Sequence, residues 1–429
     1  MALEDEDYFH GNSIIAVSAP NYVSSTISAN EIDNDVPAVL YVDARAAGEG
    51  NGKSWVDAFV SLQDALGIAQ VLPEVKEIRV AEGIYRPDTG EGIARGDRSA
   101  TFQLVAGVSV MGGYAGLGRP HPHARDVKGY ETVLSGDLNG DDDPDFTHTD
   151  DNSDNVVYGR DKAVLDGLTI TGGSGRRSGG GIRNWESEIA VVNCTIINNR
   201  GSHGGGLRNY GGSVTLVNCV FAGNQAKPNS IGDGGGVHSD SRSSLKVINC
   251  TFVGNSANDS GGGLCSYSPD TIVTNCIFWQ NADAGGADES AQIHSSSTAV
   301  NYSCIDGWTG ARGGVGDFDA DPAFADLSSQ DYHLKSQAGR WDPNEGGWII
   351  DDVTSPCIDA GSPMSPIGPE PFPNGGIINM GAYGGTGEAS KSYFGKPPCE
   401  TIMAGDVNGD CEINFEDLRL MALHWCEEW

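Results

Sequence analysis

The chain has 429 residues, of which 26 are lysine or arginine and 59 are aspartate or glutamate, so its formal net charge is −33. So acidic a surface repels nucleic acids and anionic lipids, and we expect neither as a partner. The apolar runs are shorter than the roughly 20 residues of a membrane-spanning helix, which argues against a membrane span.

Residues 1–40 are predicted to form an N-terminal extension. The chain begins with MALEDEDYFHG, which is acidic where a secretory signal has basic residues, so we expect an export signal to be missing from this chain. The segment 12–42 is rich in β-branched residues. It can pair with a neighbouring subunit as a donated strand, which would give self-association, or pack along its own coil.

Residues 41–76 are predicted to form an N-terminal cap with a helix over 54–70. Ser54 is the expected N-cap residue. One face of this helix carries the apolar residues Val56, Phe59, Leu62, Leu66 and Ala69. Such a helix would cover the strand edges that the first turn of a coil leaves exposed.

A repeat dominates residues 163–305. Asn-Cys, a large apolar residue two places after the Cys, and a closing Asn recur in VVNCTIINN, LVNCVFAGN, VINCTFVGN and VTNCIFWQN. The Asn before each Cys advances in steps of 25, 31 and 26 residues from Asn193 to Asn275. Within each unit, apolar and polar residues alternate as in strands. Repeats of this length predict the turns of a parallel β-solenoid.

Alternation also predicts which side chains point inward. One inner stack contains Leu168, Cys194, Cys219, Cys250 and Cys276. The next contains Ile170, Ile196, Phe221, Phe252 and Phe278. The closing residues Asn199, Asn224, Asn255 and Asn281 are expected to stack at a bend, where buried amides satisfy one another.

The ten cysteines are interpreted as mainly structural. Those of the inner stack are expected to remain reduced. A disulfide between Cys411 and Cys426 is an open alternative for the C-terminal segment. The sequence contains no Cys-x-x-Cys pair, so no zinc site is expected.

The chain is therefore predicted to be all-β, with a parallel β-helix of roughly nine rungs over residues 77–335. An irregular C-terminal cap would follow over 336–390, then a linker over 391–404 and a small helical module over 405–429.

The C-terminal module carries the pattern of a calcium site. The predicted ligands occupy positions 1, 3, 5, 7, 9 and 12 of an EF-hand-like loop and are Asp406, Asn408, Asp410, Glu412, Asn414 and Asp417. Cys411 stands at the sixth position, where an EF-hand has Gly. A second acidic stretch, 136–155, begins with similar spacing in Asp137, Asn139, Asp141 and Asp143. No helix pattern follows it, so a second calcium site and a solvated acidic loop both stay open.

Outward positions of the coil offer candidates for substrate contact. Arg183, Arg208 and His238 follow successive glycine blocks and should form one row, and they are the catalytic candidates. Trp185, Tyr210 and Tyr267 should lie beside them as substrate-binding residues. A lyase that cleaves an acidic sugar chain needs a base and a group or metal that neutralises the uronate carboxylate of the sugar. Asp240 or Glu186 could hold such a metal. His203 in SHGGG is interpreted as a turn residue, and the whole row can equally be plain solvated surface.

Several segments resemble bacterial secreted right-handed parallel β-helix proteins of the pectate-lyase-like superfamily. They are YVDARAAGEGNGKSWVDAFVSLQDAL, VAEGIYRPD, SPCIDAGSP and INMGAYGGTGEASKS. The resemblance covers about residues 40–429, and the tail looks like a dockerin module with calcium. It implies the right-handed fold and an extracellular or cell-surface location. It leaves the activity open, since similar coils include polysaccharide lyases, glycosidases and adhesins. Cohesin-binding dockerins have two repeats and this chain has one, so a cohesin partner is not expected.

Two classes of function stay open. The first is a protein associated with polysaccharide that binds, or as a lyase or glycoside hydrolase cleaves, an acidic glycan on the coil. Dockerin-like tails favour it, because they mostly accompany carbohydrate-active proteins. The second is a structural or adhesive surface protein that assembles into filaments or layers.

Overall fold

The computed structural model describes residues 37–143, 146–175, 179–226, 232–295, 298–395, 405–407 and 412–423, with the backbone of strands Asn12–Val17 and Ser25–Asn30. The chain winds into a coil whose successive turns pair in parallel, strand on strand. The predicted all-β parallel solenoid is therefore confirmed.

Three long parallel sheets form the walls of the coil in the described part of the chain. The first has nine strands: Val39–Val42, Glu77–Ala81, Ser109–Tyr114, Ala163–Asp166, Glu188–Val192, Ser213–Val217, Ser244–Ile248, Asp270–Thr274 and Ala299–Asn301. The second has eight: Gly83–Tyr85, Thr132–Ser135, Thr169–Thr171, Thr195–Ile197, Val220–Ala222, Thr251–Val253, Ile277–Trp279 and Cys304–Ile305. The third has seven: Phe102–Gln103, Val157–Tyr158, Ile182–Trp185, Leu207–Tyr210, Val237–Ser239, Leu264–Ser266 and Ile293–Ser295. Since the three sheets have nine, eight and seven strands, the count of nine rungs stays a prediction. The right-handed sense of the coil also stays a prediction.

The remaining elements are short. A further parallel sheet contains Arg200–Gly201, Gln225–Ala226 and Ser256–Ala257. Antiparallel pairs join Asn12–Val17 to Ser25–Asn30, Phe324–Asp326 to Asp331–Leu334, and Arg340–Asp342 to Gly347–Ile349. The helices are Leu62–Val71, Glu289–Gln292 and Phe415–Leu423.

The interior of the coil contains the two side-chain stacks that the repeat predicts, and every member is buried. The phenyl rings of Phe221 and Phe252 lie 4.9 Å apart, and those of Phe252 and Phe278 lie 4.5 Å apart, each pair nearly parallel. These distances match the spacing of about 4.8 Å between hydrogen-bonded strands, so the stacking follows from identical residues in register.

The closing asparagines form a buried hydrogen-bonded ladder. The Nδ2 of Asn199 donates to Asn224 Oδ1 at 3.1 Å, Asn224 donates to Asn255 at 3.0 Å, and Asn255 donates to Asn281 at 2.9 Å. Asn281 then donates to Gln292 Oε1 at 2.8 Å. Each amide also bonds the backbone of a neighbouring turn, so these polar groups are satisfied without water.

The asparagine before each cysteine has a different role, which the pattern alone does not reveal. Asn193, Asn218, Asn249 and Asn275 have φ values of 51°, 52°, 49° and 56°. Asparagine tolerates this left-handed conformation better than most residues, because its short polar side chain can bond locally. The asparagine before each cysteine thus turns the chain from the first sheet into the second.

The N-terminal helix differs from the predicted 54–70. It covers Leu62–Val71, and its N-cap is Ser61, whose Oγ accepts the Gln63 N–H at 3.1 Å. The preceding segment is held away from helical geometry because Phe59 pairs with the first strand, donating to Tyr41 O and accepting from Asp43 N, each at 2.9 Å. The helix buries Leu62, Ala65, Leu66 and Ala69 in the main core.

The segment 336–390 was predicted to cap the C-terminal end of the coil. Much of it lies along the outer face of the second sheet, where Met380 and Ala382 cluster with outward-facing Val220, Val253 and Ile277. Asn218 Nδ2 donates to Ala382 O at 2.9 Å and to Gly384 O at 2.7 Å. The outer face of this sheet is apolar, so burying it beneath the segment is favourable.

Two further predictions concern cysteines and the N-terminal extension. The described cysteines Cys194, Cys219, Cys250, Cys265, Cys276, Cys304 and Cys357 are free and buried. Cys411 and Cys426 lie outside the described residues.

The extension forms strands Asn12–Val17 and Ser25–Asn30, which pair with each other. Self-association through a donated strand stays a prediction.

The ladder predicts a large cost for deleting one rung. Asn224→Ala removes the amide that joins Asn199 to Asn255 and leaves buried groups unpaired. We expect the free energy of unfolding to fall by about 1–3 kcal/mol, measured by urea denaturation. Asn258→Ala is the control, because that asparagine lies on the same turn as Asn255 and is exposed. Equal losses in the two variants would contradict the ladder's role.

The C-terminal segment 336–390, which covers the second sheet, contains a buried glutamate, Glu370. Glu370 Oε1 accepts the backbone N–H of Asn379 at 2.8 Å and of Gly385 at 2.7 Å. Burial raises the pKa of this carboxyl to about 7 from its usual 4.5, despite the two hydrogen bonds.

This pKa predicts a pH-dependent stability. Because the folded-state pKa is raised, the stabilisation from Glu370 is complete below about pH 4.5 and is lost as the pH rises through about 7. Glu370→Gln keeps the acceptor and removes the ionisation, so the variant should lack this loss, which is at most roughly 3 kcal/mol. Urea denaturation at pH 5 and pH 8 measures it. Glu345→Gln, at an exposed site, should behave as wild type.

Candidate functional site

Outward side chains of the third sheet form a row across successive turns. Arg183 lies opposite Arg208, Arg208 opposite His238, and His238 opposite Cys265, with His294 next. The three catalytic candidates thus occupy one register position. Cys265 and His294 continue the row, and the sequence reasoning did not include them.

Aromatic rings lie beside the arginines. The rings of Trp185 and Tyr210 stack at 4.2 Å with 19° between their planes. The guanidinium of Arg183 lies 5.1 Å from the Trp185 ring, and those of Arg208 and Arg242 lie 5.8 Å and 4.7 Å from the Tyr210 ring. Such distances are typical of cation–π contacts.

The same arrangement continues one turn towards the N-terminus, where Tyr158 lies opposite Arg183. The guanidinium of Arg160 is 5.0 Å from the Tyr158 ring, and that of Arg183 is 5.5 Å from it. We call the whole set the arginine–aromatic strip. Its members are Tyr158, Arg160, Arg183, Trp185, Arg208, Tyr210 and Arg242.

The Asp240 carboxylate borders the strip. Asp240 Oδ1 accepts the Gly211 and Arg242 backbone N–H groups at 3.1 Å and the Ser243 hydroxyl at 2.6 Å. Burial opposes these hydrogen bonds, but together with Arg242 they lower the pKa of Asp240, so it stays ionised. Asp240 therefore holds a turn and positions Arg242. Burial and the neighbouring Arg183 lower the pKa of Arg208.

His238 does not match the requirements of a general base. Only 6% of it is exposed. Burial, helped by the neighbouring His203 and Arg208, lowers the pKa of His238 to about 3. A ring with such a pKa accepts a proton poorly near neutral pH, so a role as base has little support. Tyr267, predicted to bind substrate, lies over this region with its ring 5.9 Å from that of His238.

The structure brings His203 and Asp233 next to His238, which the sequence reasoning missed. The rings of His203 and His238 are 5.1 Å apart, and His203 Nδ1 is 3.7 Å from Asp233 Oδ2. His203 and Asp233 each precede a glycine block, in HGGG and DGGG. Equivalent positions on adjacent turns lie about one strand spacing apart, and this was the signal that could have found them.

A separate cleft of about 400 Å³ lies between the outer face of the second sheet and the C-terminal segment. Its charged lining residues are Arg125, Lys128, Asp126, Glu131 and Glu388. Acidic groups outnumber basic ones, and Arg125 is paired with Asp166 at 2.9 Å. The cleft is therefore less suited to an acidic ligand than the arginine–aromatic strip.

The tail loop is described in part, since Asn408 and Asp410 lie outside the described residues. Asp406 and Asp417 are buried, whereas Glu412 and Asn414 are exposed. The Asp417 carboxylate accepts the Val407 N–H and the Asn414 N–H, both at 2.7 Å. These bonds bring the two ends of the predicted calcium loop together.

In the described part of the second acidic stretch, three carboxylates lie close together. Oxygen atoms of Asp137, Asp141 and Asp151 lie within 4.8 Å of one another. Asp143 is instead engaged by the Thr147 hydroxyl at 2.9 Å and by His148 Nδ1 at 3.1 Å. Asp151 thus joins the acidic group where Asp143 was expected. Calcium binding there stays a prediction.

Comparisons with known proteins add little to this geometry. Residues 302–361 match a family model described as disaggregatase related. No curated protein matches the chain. Among solved structures, the crystal structure of pectate lyase Pel9A is similar over 80% of this chain and 95% of that chain, at 13% identity and a TM-score of 0.44. This likeness is too low to bear on function. Among the described residues, no helix has the length and apolarity needed to cross a membrane.

Proposed function

We propose that the protein binds an acidic polysaccharide along the arginine–aromatic strip, outside the cell or at its surface. The observation that carries the proposal is the stack of Trp185 on Tyr210 with arginine guanidiniums beside both rings. Aromatic rings pack on the apolar faces of sugars, and guanidiniums bind carboxylates through paired hydrogen bonds.

Charge supports an acidic ligand at this place. The chain as a whole carries a formal charge of −33, so cations concentrated on one strip stand out from their surroundings. Four arginines of the strip lie on adjacent turns about 4.8 Å apart, and an extended polyanion can contact several of them at once. The acidic remainder of the surface would repel the same polymer and so favour a single orientation.

Binding is better supported than cleavage. Arg183 and Arg208 suit a carboxylate, but His238, the third catalytic candidate, is buried with a pKa of about 3. The strip therefore has the cations of a uronate site without an evident base. Whether a lyase activity exists is decided by the absorbance of an unsaturated uronate product in the binding mixtures.

The proposal is tested by titrating polygalacturonate into the full chain and measuring heat. Trp185→Ala is expected to weaken binding roughly 2- to 13-fold, which corresponds to the loss of an aromatic contact of about 0.5–1.5 kcal/mol. Trp348→Ala is the matched control, since Trp348 and Trp185 are each 37% exposed and Trp348 lies far along the chain in an antiparallel pair. Equal weakening in both variants, or no binding of any uronate polymer, would contradict the proposal.

We also propose that the tail loop binds calcium. The donor set is suitable, because its predicted ligands are hard oxygens and Asp406 and Asp417 are buried side chains at the loop's two ends. Calcium would offset the repulsion among these carboxylates and stabilise the helix Phe415–Leu423 that follows.

Calorimetry in calcium-free buffer tests this site. Asp406→Ala is expected to abolish the binding of one calcium ion, because it removes the ligand at the first loop position. Glu416→Ala should bind as wild type does, since Glu416 lies outside the predicted ligands and pairs with Arg419 at 2.7 Å. Unchanged calcium binding in Asp406→Ala would exclude the loop as the site.

A further inference from the structure

Three potential metal ligands converge from separate segments beside the third sheet. His203 follows the strand Arg200–Gly201, Asp233 precedes a glycine block, and His238 lies in the strand Val237–Ser239. One ligand atom from each residue lies within 4.8 Å of the other two. The main-chain bond from Gly204 N to Asp233 O, 3.0 Å long, holds the two glycine blocks together.

Two atoms of this group are buried without a hydrogen-bond partner. They are His238 Nδ1 and Asp233 Oδ1, in residues that are 6% and 5% exposed. A buried polar atom left unpaired costs about 1–3 kcal/mol. Other buried polar atoms of the described chain also lack a partner, such as Asn184 Oδ1. Here, however, two such atoms belong to residues whose potential ligand atoms converge within 4.8 Å together with that of His203.

An ion pair does not provide that explanation. His203 Nδ1 lies 3.7 Å from Asp233 Oδ2, which is longer than a hydrogen bond. This contact also leaves Asp233 Oδ1 and His238 Nδ1 without a partner. His203 Nδ1 accepts the Asp233 backbone N–H at 3.4 Å, a long hydrogen bond that places the ring beside Asp233.

We propose that His203, Asp233 and His238 bind a divalent transition metal ion of the zinc class. Two neutral imidazoles and one carboxylate are ligands that suit zinc and cobalt, whereas calcium prefers an all-oxygen set. The Tyr267 hydroxyl donates to Asp233 Oδ2 at 3.4 Å and would orient that carboxylate from outside the ligand shell.

Three protein ligands leave at least one coordination position for water or a ligand. The His203 side chain is 27% exposed, so the ion has a path to solvent. The site borders Arg208 and Tyr267, next to the arginine–aromatic strip. The metal proposal stands on the three side chains alone and does not require that the strip bind a polysaccharide.

The test is a titration of the full chain with Co²⁺ in excess calcium, which occupies sites made of carboxylates. We expect one equivalent to bind with the intense visible absorption of a four-coordinate site that has nitrogen ligands, and Zn²⁺ to displace it. His203→Ala should weaken binding by about 100-fold or more, since losing even an outer-shell partner costs about 10–100-fold. Asp233→Asn should also weaken it.

His294→Ala is the matched control, because His294 lies in the same row and outside the three ligands. Far-ultraviolet circular dichroism of metal-free His203→Ala checks its fold, and His203 lies in a turn, where a small side chain is tolerated. The wild-type spectrum is a second readout that needs no variant. A weak octahedral spectrum, no binding in excess calcium, or equal loss in His294→Ala would overturn the proposal.

Discussion

The fold depends on one constraint: every inward side chain must lie over a similar side chain on the next turn. The asparagine ladder shows why. Each amide donates to the amide of the following turn and accepts from the preceding one, so four fully buried polar side chains are satisfied only because they repeat in register. The phenyl stack obeys the same rule with dispersion in place of hydrogen bonds.

This constraint also explains how much could be predicted. A repeat in sequence becomes a contact in space, so the inner stacks, the ladder and the parallel fold could be derived from spacing and alternation alone. The segments outside the repeat have no such rule. Phe59 fits a helical face by spacing, yet it pairs with the first strand, and the helix begins only at Leu62. The C-terminal segment covers the second sheet because of outward apolar residues that the interior pattern did not explain.

The candidate site was predictable to the same extent. The row of Arg183, Arg208 and His238 follows from register, as does the pairing of Trp185 with Tyr210. The burial and the pKa of a side chain cannot be derived from register. For His238 they change the interpretation from a base to a buried neutral ring. His203 and Asp233 were missed because they differ chemically, although they hold equivalent positions before their glycine blocks. Chemical variation at a repeated position was the informative signal.

The end of the ladder has a consequence for how such a chain can lengthen during evolution. Gln292 accepts from Asn281, but its own amide Nε2 turns back to Asn281 O at 2.9 Å and to Ala287 O at 3.4 Å. It therefore presents no amide donor to a further turn. A duplicated repeat inserted between the turns of Asn199 and Asn281 would find a partner on both sides, whereas one added beyond Gln292 would not. Gene duplication can thus extend this coil from within, while its terminus is inherited unchanged.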